Sequence, residues 1–215
     1  MDNEGLQTRL VEGAAALGVT LSEGAAGLLL RYSGELLRWN AKVNLTAITD
    51  PAEVVEKHLL DSLAVAPEVA GAGTLLDMGC GAGLPGLPLK VLQPELQVTL
   101  VDSVAKKIGF VKAAAAALGL KGATAIHQRL AGRPDAEGVP RAGVVISRAF
   151  TELEAFLPLA APYLAEPGGR AVAMLGKAPE DPAAAAARAG LRFQALRRYA
   201  LPFSGAERHV AVFQR

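Results

Sequence analysis

Three glycines at alternate positions, Gly79, Gly81 and Gly83, follow a short apolar run, Leu75-Leu-Asp-Met78, and lead into a helical pattern. A strand that must turn at once into a helix leaves few folds open. Glycine tolerates left-handed backbone and lets a ligand approach bare amides at a helix N-terminus. The same alternation then repeats. Apolar runs at 74–78, 97–101, 123–127, 143–147 and 170–175 are separated by helical patterns at about 84–92, 104–118 and 152–165. That order predicts an α/β fold, a parallel sheet with helices on both faces. The alternating segment Arg208–Gln214 reads as a last strand. Residues 138–141 and 178–182 read as loops, and the alanine runs 113–117 and 183–187 as helix.

Before Gly71-Ala-Gly73 only helical periodicity is found. Leu28, Leu29, Tyr32, Leu36, Leu37 and Trp39 form one apolar stripe, and a further helix is expected after Thr49-Asp50-Pro51. The chain is therefore divided into a helical extension, 1–72, and an α/β domain, 73–215. A length of 215 residues with 51% hydrophobic side chains suits one such domain and its extension, and excludes a disordered chain. No apolar stretch reaches the roughly 18 residues of a membrane span. Asp2, Glu4, Arg9 and Glu12 contradict a secretion signal, so a cytoplasmic protein is expected. One cysteine, Cys80, excludes an internal disulfide, and His58, His127 and His209 are too scattered to suggest a metal site. Cys80 reads as a small filler inside the glycine turn.

The net charge of +1 hides two basic segments. Residues 101–133 carry six cations against Asp102 alone, a net of +5, and residues 188–215 carry six against Glu207, again +5. Together they could present a face to a polyanion; the alternative is solvated helix surface. With only 5% aromatic residues, such a face would rely on phosphate contacts more than on stacking.

Two ligand classes use a glycine turn of this kind. Gly81, Gly83 and Gly86 match the dinucleotide pattern G-x-G-x-x-G. Pro85, however, has no N–H to offer a phosphate, and the Asp77 carboxylate beside the turn would repel one. A carboxylate there suits a ligand with an ammonium group. S-adenosylmethionine (SAM) has one, together with a sulfonium and no phosphate. Asp102 ends the second strand at Val101-Asp102, where an acid can accept both ribose hydroxyls. The pair points to a SAM-dependent methyltransferase over an NAD oxidoreductase. Taken singly, Asp77 is a helix cap and Asp102 a turn residue.

The sequence closely resembles the RsmG (GidB) family of bacterial 16S rRNA guanine-N7 methyltransferases. The matching stretches are Arg38-Trp-Asn-Ala-Lys-Val-Asn-Leu-Thr46, His58-Leu-Leu-Asp-Ser-Leu63, Asp77-Met-Gly-Cys-Gly-Ala-Gly-Leu-Pro-Gly86, Leu100-Val-Asp-Ser103, Ser147-Arg-Ala-Phe150 and Glu207-Arg-His209. The resemblance implies a class I, Rossmann-like methyltransferase fold with a mostly parallel sheet and an antiparallel last strand. It implies SAM as cofactor, S-adenosylhomocysteine as product, and guanine 527 in the 530 loop of 16S rRNA as target. The partner would be the small ribosomal subunit or its RNA, with no membrane or metal, and the protein a monomer.

Carried over to this chain, the resemblance places Gly79, Leu84, Asp102, Ser103, Leu130, Ala131 and Arg148 in the cofactor site, beside Asp77, Gly81 and Gly83 of the glycine turn. Candidate RNA contacts are Lys106, Lys107, Arg148, Arg197, Arg198, Arg208 and His209. Two departures stand out. Ala131 stands where the family usually has an acid, which leaves backbone and packing to hold adenine there. Leu175-Gly-Lys177 reverses the family's Leu-Lys-Gly order. Guanine N7 is a lone pair without a proton, so methyl transfer along one line needs no general base, and none is assigned. Ser147-Arg148 would wall the cofactor from the base, the alternative for Arg148 being a salt bridge to an acid such as Asp77 or Glu152. His58 and Asp61 are expected to join the helical extension to the α/β domain. Trp39 reads as a core anchor, with an RNA-stacking ring as the alternative.

Overall fold

The computed structural model describes residues 2–148 and 152–215. Seven strands form one sheet: β1 Thr74–Met78, β2 Gln97–Asp102, β3 Ala123–His127, β4 Val144–Arg148, β5 Arg170–Leu175, β6 Arg192–Ala200 and β7 Glu207–Gln214. Their order across the sheet is β3-β2-β1-β4-β5-β7-β6. The first five run parallel, and β7 lies antiparallel between β5 and β6. The order reverses between β1 and β4, so the crevice beyond their carboxyl ends is where such a sheet binds ligands.

The helices match the sequence pattern closely. α1 (Asn3–Ala16) and α2 (Glu23–Val43) begin at Asp2 and Ser22, whose side chains accept the Gly5 and Ala25 amides. α3 (Pro51–Val54) starts at the Asp50 cap with proline in its first turn, as predicted. It continues through a π-helical stretch, Val55–Leu60, into α4 (Asp61–Leu63), and α5 (Ala66–Val69) follows. α6 (Gly86–Leu92), α7 (Ala105–Ala117), α8 (Pro134–Glu137), α9 (Leu153–Ala160) and α10 (Pro182–Arg188) connect the strands.

β6 was not expected. Its sequence, Arg-Phe-Gln-Ala-Leu-Arg-Arg-Tyr-Ala, lacks clean alternation because it is the sheet's edge, with most positions exposed and a register break at Phe193/Ala195. Pairing with β7 makes it a strand, a non-local contact that local pattern does not report.

Both sheet faces are covered. One core joins Leu10, Leu29 and Leu36 of α1 and α2 with Leu59 and Leu63 and with Leu75, Leu100, Phe110 and Ile146 of the α/β part. The other gathers Leu76, Val101, Val145, Phe156, Tyr163 and Phe213. The N-terminal helices thus complete one face of the sheet. Trp39 meets Phe110 edge-on at 5.7 Å, as a core anchor would.

Candidate cofactor site

The chain leaves β1 in left-handed conformation at Gly79, Gly81 and Gly83, with φ of 71°, 56° and 87°. A side chain at Gly81 would meet nothing, so its glycine serves the backbone conformation, whereas one at Gly83 would strike Leu87 at 2.8 Å. Gly83 therefore lets α6 pack on the turn. Asp77 lies fully buried beneath, its Oδ2 accepting the Gly86 N–H at 2.8 Å at the start of α6. The capping role is thus real and uses one oxygen only. Oδ1 is buried without a hydrogen-bond partner. Burial pushes the Asp77 carboxyl up to about 7, against the pull of Gly86 and Arg148. A buried acceptor left open beside a left-handed turn fits a ligand that brings a donor or a cation.

Asp102 closes the other side. Its Oδ2 accepts the Gly81 N–H at 2.9 Å and its Oδ1 the Val104 N–H at 2.8 Å, with Lys107 Nζ 3.9 Å from Oδ2. Both backbone bonds leave carboxylate lone pairs free for a diol. Between β1, β2 and β3 opens a cavity of about 200 Å³ lined by Met78, Gly79, Val101, Asp102, Ser103, Gln128, Arg129, Leu130 and Leu159. Four of the expected cofactor residues meet there: Gly79, Asp102, Ser103 and Leu130. Asp77, Gly81 and Gly83 stand behind them, and Leu84 is buried in the adjoining core. Ala131 is exposed, and its N–H is committed to Glu137 Oε1 at 2.9 Å.

Arg148, at the end of β4, turns toward the N-terminal segment. Its guanidinium donates to the Lys57 carbonyl at 3.1 Å and lies 3.5 Å from Asp61 Oδ2. The acid that pairs with it is Asp61 and not Asp77 or Glu152. Asp61 also accepts the Tyr199 O–H at 2.7 Å and faces Arg208 at 3.7 Å, so one buried carboxylate joins α4, β4, β6 and β7. His58 Nε2 meets Thr46 Oγ1 at 2.8 Å, and Nδ1 lies 3.1 Å from the Lys57 carbonyl. The Asn40 side chain accepts the Leu45 and Thr46 amides and donates to the Thr46 carbonyl. The stretch from Trp39 to Thr46 is thereby stapled to His58 and on to the end of β4. Ala149 and Phe150 of the Ser147–Phe150 stretch lie outside the described residues.

The expected RNA contacts fall into two groups. Lys106 is exposed on the first turn of α7, beside Lys107. Arg198, Arg208 and His209 lie where β6 ends and β7 begins, at the same carboxyl edge but beyond β5. Arg198 is open to solvent and pairs with Glu207 at 3.1 Å. His209 is buried, with Nε2 3.4 Å from Glu207. Arg197 faces inward to Glu68 and the Ala64 carbonyl. Among the described residues, no group of three or more His, Cys, Asp or Glu could hold a metal ion, and no helix is long and apolar enough to cross a membrane.

Sequence reading missed Tyr32, whose hydroxyl donates to the Ala82 carbonyl inside the glycine turn at 2.7 Å. It also missed Gln128, Arg129 and Leu159 of the cavity wall and the pair Glu137–Tyr163. All act through contacts distant along the chain or through packing, for which no local motif exists.

Known structures share this fold. A SAM-dependent methyltransferase from Aquifex aeolicus superposes with a TM-score of 0.58 at 18% identity, covering 80% of this chain and 96% of that one. Magnesium protoporphyrin IX methyltransferase (ChlM) from Synechocystis PCC 6803, with bound SAM, gives 0.60 at 16%, covering 91% and 98%. The fold is that of the class I, Rossmann-like methyltransferases. The family model described as GidB, rRNA small subunit methyltransferase G, matches residues 26–211. Relatives called ribosomal RNA small subunit methyltransferase G are 60% identical in Myxococcus xanthus (strain DK1622), over 99% of both chains, and 51% identical in Anaeromyxobacter dehalogenans (strain 2CP-C), over 96% of both. The chain belongs to the rRNA small subunit methyltransferase G family and is a SAM-dependent methyltransferase.

Proposed function

We propose that this protein methylates N7 of guanine 527 in 16S rRNA, acting as a cytoplasmic monomer on the small subunit or its RNA. The observation that carries the reading is the cavity at the carboxyl edge of β1 to β3, flanked along that edge by cations from both basic segments, in a chain of this family. The α/β part, 73–215, would hold the cofactor, and the extension, 1–72, would brace it through Tyr32, His58 and Asp61. Gly79, Asp102, Ser103 and Leu130 would hold the cofactor, with Asp77 behind them. When bound, SAM supplies an electrophilic methyl group on a sulfonium.

N7 of guanine has no proton to lose, so the chain needs no base. The histidine beside Arg148 suits that chemistry. Burial and the Arg148 charge hold His58 down at about 4, and both its ring nitrogens are engaged. Asp61 balances the charge of Arg148, which lessens the opposition an arginine would raise to a purine turning cationic. A methyltransferase acting on another RNA, a protein or a small molecule is the alternative, since the fold does not fix the substrate. Labelled methyl transfer to naked 16S rRNA and to small subunits, both from cells lacking the modification, followed by mapping of the modified base, tests the reading. Label at guanine 527 N7 is expected. Label at another base or another atom would overturn it.

A further inference from the structure

The loop from β3 to α8 forms the far wall of the cavity through Gln128, Arg129 and Leu130. Its first end is fixed by the Gln128 N–H, which donates to the Asp102 carbonyl at 3.1 Å. The amides of Ala131, Gly132 and Arg133 converge on two side chains, Glu137 at the end of α8 and Tyr163. Glu137 Oε1 accepts the Ala131 N–H at 2.9 Å and the Arg133 N–H at 3.3 Å. Tyr163, beyond α9, donates its hydroxyl to Glu137 Oε2 and accepts the Gly132 N–H at 3.1 Å. Gly132 is left-handed, with φ of 77°, as this tight wrap requires. The Glu137 side chain is only 4% exposed and does not line the cavity, so it acts on a ligand there through the loop it holds. Arg133 Nε, 4.0 Å away, balances its charge.

We infer that Glu137, braced by Tyr163, is a positioning residue for the purine end of the cofactor, setting the wall Gln128–Leu130 against Met78, Val101 and Leu159. The inference rests on the cavity being the cofactor site. The apolar faces of Met78, Val101, Leu130 and Leu159 suit a flat heteroaromatic ring, while Asp102 and Ser103 supply polar atoms at the rim. Because the Ala131 amide is committed to Glu137, recognition of the ring edge falls to the preceding residues of the loop, whose placement the carboxylate fixes. A wall set by one buried acid can shift when the acid is lost, without change to the candidate RNA contacts Lys106, Lys107 and Arg198 or to the β6–β7 hairpin.

The test compares wild type with Glu137→Ala, Glu137→Gln and Tyr163→Phe by calorimetric titration with SAM, by steady-state kinetics with 16S rRNA, and by thermal melting. Binding is measured well below the melting temperature. Glu137→Ala should raise both the Kd and the KM for SAM about tenfold, because the loop loses the one carboxylate that holds the Ala131 and Arg133 amides and the Tyr163 hydroxyl together. The kcat at saturating SAM and the KM for RNA should stay within about twofold of wild type. Glu137→Gln, which keeps one carbonyl acceptor for the two amides, should recover most of the affinity, and Tyr163→Phe should fall between. SAM affinity within twofold of wild type in both Glu137→Ala and Tyr163→Phe would overturn the inference alone. So would a parallel fall in kcat, SAM affinity and RNA affinity. If Glu137→Ala does not fold, Glu137→Gln and Tyr163→Phe decide by the same split between KM and kcat. Failure of wild type itself to bind SAM would overturn the cofactor site and this inference together.

Discussion

Arg197 grips Glu68 with two hydrogen bonds, Nε to Oε1 at 2.7 Å and Nη2 to Oε2 at 2.9 Å, and adds a third to the Ala64 carbonyl. The pair fastens the edge strand β6 to α5. Its neighbour Arg198 points to solvent and meets only Glu207, itself half exposed. Two adjacent arginines in one basic segment therefore have different work, because successive strand residues face opposite sides of the sheet.

Replacing each arginine by alanine should separate those roles. Arg197→Ala should cost about 2 kcal/mol through lost charge-assisted bonds and a largely buried Glu68 left alone, lowering the melting temperature by roughly 5 °C. Arg198→Ala should leave the melt unchanged. If the hairpin meets RNA, it should flatten the slope of log affinity against log salt by about 0.7–0.9. Unchanged melting in Arg197→Ala would mean the clamp contributes nothing to folding.

Asp102 carries two loads, the Gly81 and Val104 amides and the lone pairs directed to the cavity. Asp102→Ala should raise the SAM dissociation constant at least about tenfold, since hydrogen bonds to a charged acceptor contribute roughly 1.5–3 kcal/mol each. It should also loosen the glycine turn, seen as faster amide exchange at Gly81. Asp102→Asn retains an acceptor oxygen and should lie between. Calorimetric affinity equal to wild type in the alanine variant would place the ribose elsewhere.

Asp77 gives the site a pH dependence of known sign. Its carboxyl is raised to about 7 in the unliganded protein, so the folded state binds a proton that the unfolded chain has released. That contribution to stability is complete below the unfolded value and is lost as pH rises to about 7. The unliganded melting temperature of wild type should therefore fall relative to Asp77→Asn between about pH 4 and pH 7. SAM binding, favoured by the ionised carboxyl, should strengthen over the same range. The single-turnover rate at saturating SAM should stay flat between pH 6 and 8, because no base takes a proton from N7. A tenfold rise per pH unit in that rate would contradict the mechanism.

The sequence by itself determined the strand–helix order, the glycine turn and the acids at positions 77 and 102, because each follows from neighbouring residues. Period, caps and left-handed glycines are local properties, and Asp50-Pro51 or Gly79-Cys-Gly81 can be read without knowing what packs against them. Tertiary structure decided the rest. β6 is a strand because β7 lies beside it. Arg148 turns to Asp61, 87 positions away in sequence, and not to Asp77 or Glu152, which lie closer along the chain. Ala131 has its amide taken by Glu137, and Tyr32 reaches Ala82 from a helix of the extension. A buried polar group must find a partner, and which partner it finds depends on the route of the whole chain through space. That choice is settled only when both cores have closed.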